Sequence, residues 1–438
     1  MKSVRWIRKA LLLGLLLFFT FFAWLSGSPR PQPGAAAPLS TIFFQIASAM
    51  AQDRVEPVVI RWPDRRFPAR TLQHAIDLLR DDDTLRIAPG TYRIDEPLVV
   101  RGKSVIIEGA GCSPCPEPGP SRGRGAAELR VRRADNVTYL IGPASDRVPS
   151  PDDAVGLFNF YGAGGVIRGM NGSGFDAFLV TRDLRDSRSR PVLAAELNIH
   201  HAGRGILGTA SSDLWVTDTY IHDVTHNGAS FATGLADLVT AFTVAAITNS
   251  YITNVGGVCY FGQGVAMVAT NDTFENCGSG LIANAPGGAI AGIQGSKLFV
   301  SDSIAKNNKR FGILLAESSA PYIRRSTIMG TQSVGGLFGD GIVAILSQPD
   351  KAVYLEEMTI DTVDRAGIAN FGSNVITEHT KIRRAAFEIN AEVLAGLNPQ
   401  FIDVTENSQS TNSCGCPIAN GNCVAKSAGL QPQSPGSP

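Results

Sequence analysis

The sequence predicts an all-β solenoid, and three observations carry that prediction. A phrase occurs twice between Asn198 and Gly228: Leu197-Asn198-Ile199-His200-His201 ahead of Gly205-Ile206, and Thr219-Tyr220-Ile221-His222-Asp223 ahead of Gly228. The two central isoleucines lie 221 − 199 = 22 residues apart. At such a period, short units bury their apolar face only by stacking on neighbours. Next, a Gly-plus-apolar step returns at Gly205-Ile206, near Gly228, and at Gly257-Val258, Gly280-Leu281, Gly312-Ile313, Gly341-Ile342 and Gly367-Ile368, with gaps of 23, 29, 23, 32, 29 and 26 residues. Finally, 46 glycines, 25 prolines and only 18% charged residues suit many short strands joined by turns. A formal net charge of zero gives no electrostatic case for a nucleic-acid partner.

Taken in order, the chain opens on a targeting pattern. Lys2, Arg5, Arg8 and Lys9 precede an apolar run over residues 10–25 that contains no acidic residue. A Pro/Gly/Ala-rich linker follows over residues 26–38, then a second apolar patch over residues 42–50. Ala49-Met50-Ala51 fits a small-x-small cleavage site before Gln52. Two outcomes are expected of residues 1–51. Either they form a signal peptide removed near Ala51, or the run over residues 10–25 stays as a single N-terminal membrane anchor with its basic end in the cytoplasm. Both place the remainder outside the cytoplasm, secreted, periplasmic or at the cell surface. Residues 52–400 form the solenoid domain, and residues 401–438 a Cys-containing, largely irregular tail with disorder expected from about Lys426.

The seven cysteines suit that compartment. Cys112 and Cys115 share a Pro/Gly loop, Cys259 and Cys277 sit in neighbouring repeats, and Cys414, Cys416 and Cys423 lie near the end. Disulfides are the expectation. The rival is a zinc site from Cys112, Cys115 and the C-terminal cysteines.

Residues 71–80 (TLQHAIDLLR) are the one clear helix, with Leu72, Ala75, Ile76, Leu78 and Leu79 on its apolar face and Asp81 to Asp83 stopping it. Short strands follow at residues 84–87, 91–94, 98–100 and 104–108, with Pro89-Gly90 as a turn. One amphipathic helix ahead of such strands reads as a cap on the open end of the solenoid. Within each coil, alternation sends Leu197 and Ile199, Thr219 and Ile221, and Ser250 and Ile252 inward. Their neighbours form outward ladders, with His200 over His222 over Thr253.

Residues 71–111, with the "APGTY" turn and the "IIEGAG" step, resemble the N-terminal cap and first coil of the pectin-lyase-like right-handed parallel β-helix proteins. The later repeats are similar to the β-helix repeat of the same superfamily, and the resemblance covers about residues 71–389. It implies a right-handed, single-stranded parallel β-helix with an N-terminal capping helix, and no particular activity. The Asn-Thr-Asp with Gly-His-Gly of polygalacturonases, the Asp-Pro-His-Asp of alginate epimerases and the Arg-x-Pro-x-x-Arg of pectate lyases are not found in this sequence.

Four of the six histidines (His200, His201, His222 and His226) fall between Asn198 and Gly228. With Arg204, Asp218 and Asp223 they form the main candidate site. A histidine oriented by a carboxylate can act as a base near neutral pH, and an arginine can neutralise a uronate carboxylate. The expected catalytic set is His200 or His222 as base, Asp223 orienting it, Arg204 neutralising, and His226 beside them. The bland reading of the same residues is the polar turn of the repeat. The histidines with Asp223 could also hold zinc or copper. Asp213, Asp218 and Asp223, or Asp361 and Asp364, could cut a glycosidic bond or take calcium, the one cofactor the acidic residues suggest.

Exposed aromatics Trp215, Tyr220, Tyr251 and Tyr260, the first three as substrate-binding residues, and two arginine stretches (Arg122, Arg124, Arg130, Arg132, Arg133; Arg182, Arg185, Arg188, Arg190) suit an acidic glycan. Glycine-rich residues 286–295 and 335–341 lack a phosphate-loop ending. The expected function is action on, or binding of, an acidic extracytoplasmic polysaccharide by lyase- or epimerase-like chemistry, by a monomer. The alternatives are a non-catalytic adhesin or glycan-binding scaffold, and a periplasmic metal-handling protein.

Overall fold

The computed structural model describes residues 57–64, 70–116, 136–144, 150, 153–182, 191–209, 213–232, 244–278, 287–318, 320–336, 338–347, 352–403, 418–419, 422–423 and 427–432. The segment read as signal or anchor lies outside them, and among the described residues no helix is long and apolar enough to cross a membrane.

Three parallel ladders wrap one core. The first sheet runs from Val59–Trp62 to Gln400–Asp403. The second starts at Gly90–Arg93 and Thr138–Ile141 and continues through the later part of Val192–His200, then Tyr220–Val224, Tyr251–Val255, Thr273–Cys277, Ile304–Lys306 and Thr327–Met329. The third runs from Leu98–Arg101 through Arg204–Thr209, Ala229–Ala232 and Val258–Gln263 to the later part of Lys381–Glu392. Every one of these pairings is parallel, so each coil contributes one strand to each sheet in turn.

The inner rung of the second sheet is Ile199, Ile221, Ile252, Phe274, Ala305, Ile328, Ile360 and Ile382, in register and inside one continuous core. Burial of each isoleucine contributes about 1.5–3 kcal/mol. The third sheet is apolar on its outer side too. There Val258, Phe261, Leu314, Val343 and Phe371 form a second buried cluster that Leu394 and Leu430 join.

Three corners recur in each coil, one at each passage between sheets, because the chain must turn between strands. Between the first and second sheets, Glu196, Asp218, Asn249, Asn271, Asp302, Arg325, Glu357 and His379 have φ between +44° and +59°. Asn and Asp tolerate this left-handed region best among non-glycine residues. Inside that corner runs a polar ladder. Thr219 N donates to Ser250 Oγ (3.2 Å), Ser250 N to Asp272 Oδ1 (2.8 Å), Asp272 N to Ser303 Oγ (3.2 Å) and Ser303 N to Ser326 Oγ (3.2 Å). Ser250, Ser303 and Ser326 each return their hydroxyl hydrogen to the carbonyl two residues back. The inward positions expected of Thr219 and Ser250 therefore carry backbone satisfaction as well as packing.

The Gly-plus-apolar step holds at Gly205 over Gly228 and at Gly312, Gly341 and Gly367. A Cβ on Gly312 would sit 2.5 Å from Ile328 Cγ2 and 2.6 Å from the Gly341 carbonyl. The step at Gly257-Val258 is corrected. Register places Cys259 after Gly228 and Ala289 after Cys259. Gly256 and Gly257 are spent in the corner, where Gly257 N donates to His226 O and Val258 N to Asn227 Oδ1. Gly280-Leu281 lies outside the described residues.

The helix spans Leu72–Asp77, shorter than predicted. Thr71 caps it by accepting from His74 N (3.1 Å), and Leu72, Ala75 and Ile76 enter the core. Lys103 Nζ donates to the Ile76 and Leu79 carbonyls, which satisfies the C-terminal end. Asp83 takes Arg80 N and Val58 N, and so draws the chain into the first sheet early.

Disulfides join Cys112 to Cys115 and Cys259 to Cys277. The first bond uses the thiols that the zinc reading needed. Cys414 and Cys416 lie outside the described residues, and Cys423 is described only by its backbone in a two-residue strand. Residues 427–432, where composition predicts disorder, lie against the last coils. Ala428 N donates to Asn390 Oδ1 and Glu392 Oε1, and Arg365 Nη1 donates to Gln431 O.

Replacement of Ser303 by alanine removes the acceptor for Asp272 N inside the corner. The expected cost is about 1–3 kcal/mol of unfolding free energy, read as a lowered denaturant midpoint at unchanged slope.

Candidate functional site

The outward side of the second sheet carries two adjacent rungs. One reads Ser173, His200, His222, Thr253, Glu275, Lys306, Met329 and Asp361. The other reads Asn171, Asn198, Tyr220, Tyr251, Thr273 and Ile304. His200 thus lies over His222 over Thr253, as alternation predicts. The imidazoles of His200 and His222 stack with centroids 5.2 Å apart and planes 25° apart. His222 also stacks on Tyr220, at 4.2 Å and 23°.

Both histidines are half-buried, and each is joined at one nitrogen to the corner residue that follows it. His200 Nδ1 is 2.8 Å from His201 Nδ1, and His222 Nδ1 is 2.6 Å from Asp223 Oδ2. His201 and Asp223 occupy the left-handed corner (φ +49° and +52°) shared by Asn254, Asn276 and Asn307. The carboxylate therefore stands beside His222 because the corner favours Asp or Asn there. Burial opposes ionisation of Asp223, but the hydrogen bond and charge of His222 outweigh it and hold the carboxyl below its usual range. His200 is pushed down to about 4 by burial and by the neighbouring His222 and His201, against the pull of Asp223. Burial, with Asp223 and Glu275 nearby, raises Tyr220, so its phenol stays protonated.

Further along, Tyr251 donates to Glu275, which Lys306 Nζ also meets at 2.9 Å. The face thus passes from histidines through tyrosines to a paired carboxylate and ammonium.

Arg204 is corrected as a partner of these histidines. It begins a strand of the third sheet, is 2% exposed, and has Asp176 and His226 as charged neighbours. His226 is 7% exposed, and its Nδ1 has no partner among the described residues. Burial and the Arg204 charge push it down to about 4. The third sheet is buried on both sides, so a polar residue there is enclosed whichever way it points. Trp215 is outward on the first sheet, in register with Leu193 and Ala246, so the corner at Asp218 separates it from Tyr220 and Tyr251. Tyr260, expected exposed, is fully buried and donates to the Ala245 carbonyl at 2.7 Å, because its position is inward between Ala229 and Ile290.

The acidic candidates are engaged structurally. Asp213 accepts from Val244 N, Asp364 from Ser333 N, and Asp361 is bound by Arg384. Asp218 is buried and takes the Thr217 hydroxyl, and burial raises it to about 6. Among the described residues no group of three His, Cys, Asp or Glu could hold a metal. One nitrogen of each histidine in the rung turns to its own corner neighbour, so these described residues lend no support to the zinc or copper readings. Of the arginine stretches, only Arg182 is described; its Nη2 donates to the Ala154 carbonyl.

Three residues of the site were missed by sequence reasoning. Asn198 Oδ1 lies 3.1 Å from His222 Nε2. Asn198 Nδ2 donates to Asn171 Oδ1 (3.0 Å) and to the Ser113 carbonyl (3.2 Å). Asn198 and Asn171 precede His200 and Ser173 by two positions, so the alternation that placed the histidines could have placed them. The Ser113 contact spans 85 residues and has no local signal.

A family model described as a right-handed β-helix region matches residues 183–347. No curated protein matches the sequence. Among solved structures, the catalytic unit of a thermostable GH87 α-1,3-glucanase from Streptomyces thermodiastaticus is similar at 12% identity, with 87% of this chain and 72% of that one covered and a TM-score of 0.44. An alginate lyase from a Paenibacillus species is similar at 13% identity, with 75% and 96% covered and a TM-score of 0.44. A tailspike protein of bacteriophage CBA120 is similar at 10% identity, with 88% and 70% covered and a TM-score of 0.41. Similarity at this level leaves the chemistry to be read from this chain's own residues.

His200 and His226 stay neutral in the folded chain down to about pH 4, whereas unfolded they take up protons near 6.5. Between those values the unfolded state binds more protons, so stability is full above pH 6.5 and falls as pH falls toward 4. Melting temperature should therefore drop over that window. A His200→Gln/His226→Gln variant should show a flatter dependence, and an unchanged slope would refute the neutral, buried state of both rings.

Proposed function

We propose that this right-handed parallel β-helix protein acts on an acidic polysaccharide outside the cytoplasm, by lyase- or epimerase-like proton transfer on the outer face of its second sheet. The observation that supports this most is the half-buried, stacked pair His200–His222, with one nitrogen of His222 on a carboxylate and a protonated tyrosine stacked against its ring. The two disulfides suit an oxidising compartment.

In this reading a uronate lies along the coil axis over Tyr220 and Tyr251. His200, unprotonated at neutral pH, takes the proton on the carbon next to the carboxylate. The electron pair left behind is delocalised into that carboxylate. It then either expels the glycosidic oxygen on the adjacent carbon, forming the carbon–carbon double bond of a lyase product, or takes a proton back on the opposite side, as an epimerase requires. For elimination, the Tyr220 phenol supplies a proton to the departing oxygen. A base held down to about 4 is weak when free. The negative charge of a bound uronate raises the proton affinity of a nearby imidazole, so the substrate itself strengthens the base. Arg204 takes no part in this scheme.

The corner geometry favours a second reading, a glycan-binding scaffold without turnover. His201 and Asp223 hold positions that Asn fills in later coils, so their residue types need no catalytic reason.

Turnover of a panel of acidic polysaccharides by the full-length chain separates the two. Unsaturated-uronate absorbance, new reducing ends and solvent-deuterium incorporation read lyase, hydrolase and epimerase chemistry respectively. His200→Gln should lower turnover about 100- to 10,000-fold. The kcat/KM profile should lose activity only as pH falls toward about 4, where free His200 takes up its proton. The kcat limb should lie at higher pH, because bound uronate stabilises protonated His200. Binding with none of the three signals would favour the scaffold.

A further inference from the structure

We infer that Asn198 is the positioning residue of the histidine pair: it accepts a hydrogen bond from Nε2 of His222, fixes that nitrogen as a protonated one, and so leaves the base role to His200. The consequence for His200 rests on the proposed proton-transfer reading; the hydrogen bond itself does not.

Backbone donors and acceptors cannot exchange places, and they fix the amides here. Ser113 N donates to Asn171 Oδ1 (3.0 Å), and Asn171 Nδ2 donates to the Thr138 carbonyl (3.1 Å). These two contacts settle which way the Asn171 amide points. Asn171 Oδ1 and the Ser113 carbonyl are therefore both acceptors, and both face the same end of the Asn198 amide. A reversed Asn198 would set oxygen against two oxygens, so that end is the Nδ2 donor. The remaining end, Oδ1, faces His222 Nε2 at 3.1 Å. Only a ring N–H can bridge those atoms. The whole chain of contacts is enclosed: Asn171 is fully buried and Asn198 is 2% exposed. Ser113 itself is held in a loop closed by Cys112 and Cys115.

With Nε2 committed to Asn198 and Nδ1 facing Asp223, neither nitrogen of His222 is open to a substrate proton. Tyr220 and His200 lie against the faces of that ring and do not compete for its edge. For His200 the hydrogen-bond partner among the described residues is His201, at Nδ1, which leaves its Nε2 to take the proton in the proposed reaction. The pair is thus asymmetric by construction, although its two members are equivalent in the repeat.

The test is the ring-nitrogen spectrum of the full-length chain carrying 15N-labelled histidine, with His222 assigned by His222→Gln. The expected result at pH 7 is a protonated Nε2 on His222 that exchanges slowly with water. In Asn198→Ala that exchange should rise about tenfold or more. An unaltered His226 signal would report an intact fold in each variant. A wild-type His222 with bare Nε2 would overturn the inference without any variant, as would unchanged protection in Asn198→Ala. If the nitrogen result holds while no polysaccharide is turned over, the proposed reaction falls and the Asn198 assignment stands. If instead turnover is lost in His200→Gln while His222 Nε2 is bare, the reaction stands and the Asn198 assignment falls.

Discussion

A left-handed backbone turn, repeated at the same three places in coil after coil, is the constraint on which the rest depends. A coil closes only if its strands meet at fixed angles, and here one residue with positive φ makes each meeting. Such residues carry a conformational cost, which Asn, Asp and Gly minimise. The turn also strands backbone N–H groups inside the corner. The chain from Thr219 through Ser250, Asp272 and Ser303 to Ser326 satisfies them from within. Packing alone would leave those groups unpaired in the core.

The candidate site follows from that geometry. Once the corners are fixed, residues just before them alternate inward and outward with no freedom of phase. His200 and His222 meet because they are one coil apart at an outward position, about 4.8 Å along the axis. Asp223 joins them because it is the corner residue. The site therefore needed no special backbone, only particular side chains on positions that the frame leaves open. Its asymmetry comes from outside the repeat, through the loop at Ser113 that abuts Asn171 and Asn198.

Legibility in the sequence divides along the same line. The strands Thr84–Ile87 and Ser104–Glu108 and the order His200, His222, Thr253 were readable because turn residues and two-residue alternation specify them locally. Arg204 and Tyr260 were misplaced because the third sheet is buried on both sides, so alternation there no longer separates core from solvent. Trp215 was grouped with Tyr220 and Tyr251 because nothing in the residue type of Asp218 marks the corner between them, which only its φ of +51° reveals. The coil at Gly257 slipped by two residues because its corner holds extra glycines that mimic the step. The contacts of Ser113 depend on residues far apart in the chain, and nothing local announces them.

Each coil behaves as a separable rung. The span from Ile199 to Ile221 begins and ends on the same word, so its loss would join Asn198 to Ile221 with every corner type and the inner apolar row preserved. Duplication would insert another rung just as quietly. In such a molecule the number of imidazoles on the outer face is a matter of copy number. The chemistry of the surface can be lengthened, shortened or shuffled by recombination at a repeat boundary, while the interior registers only a longer or shorter column.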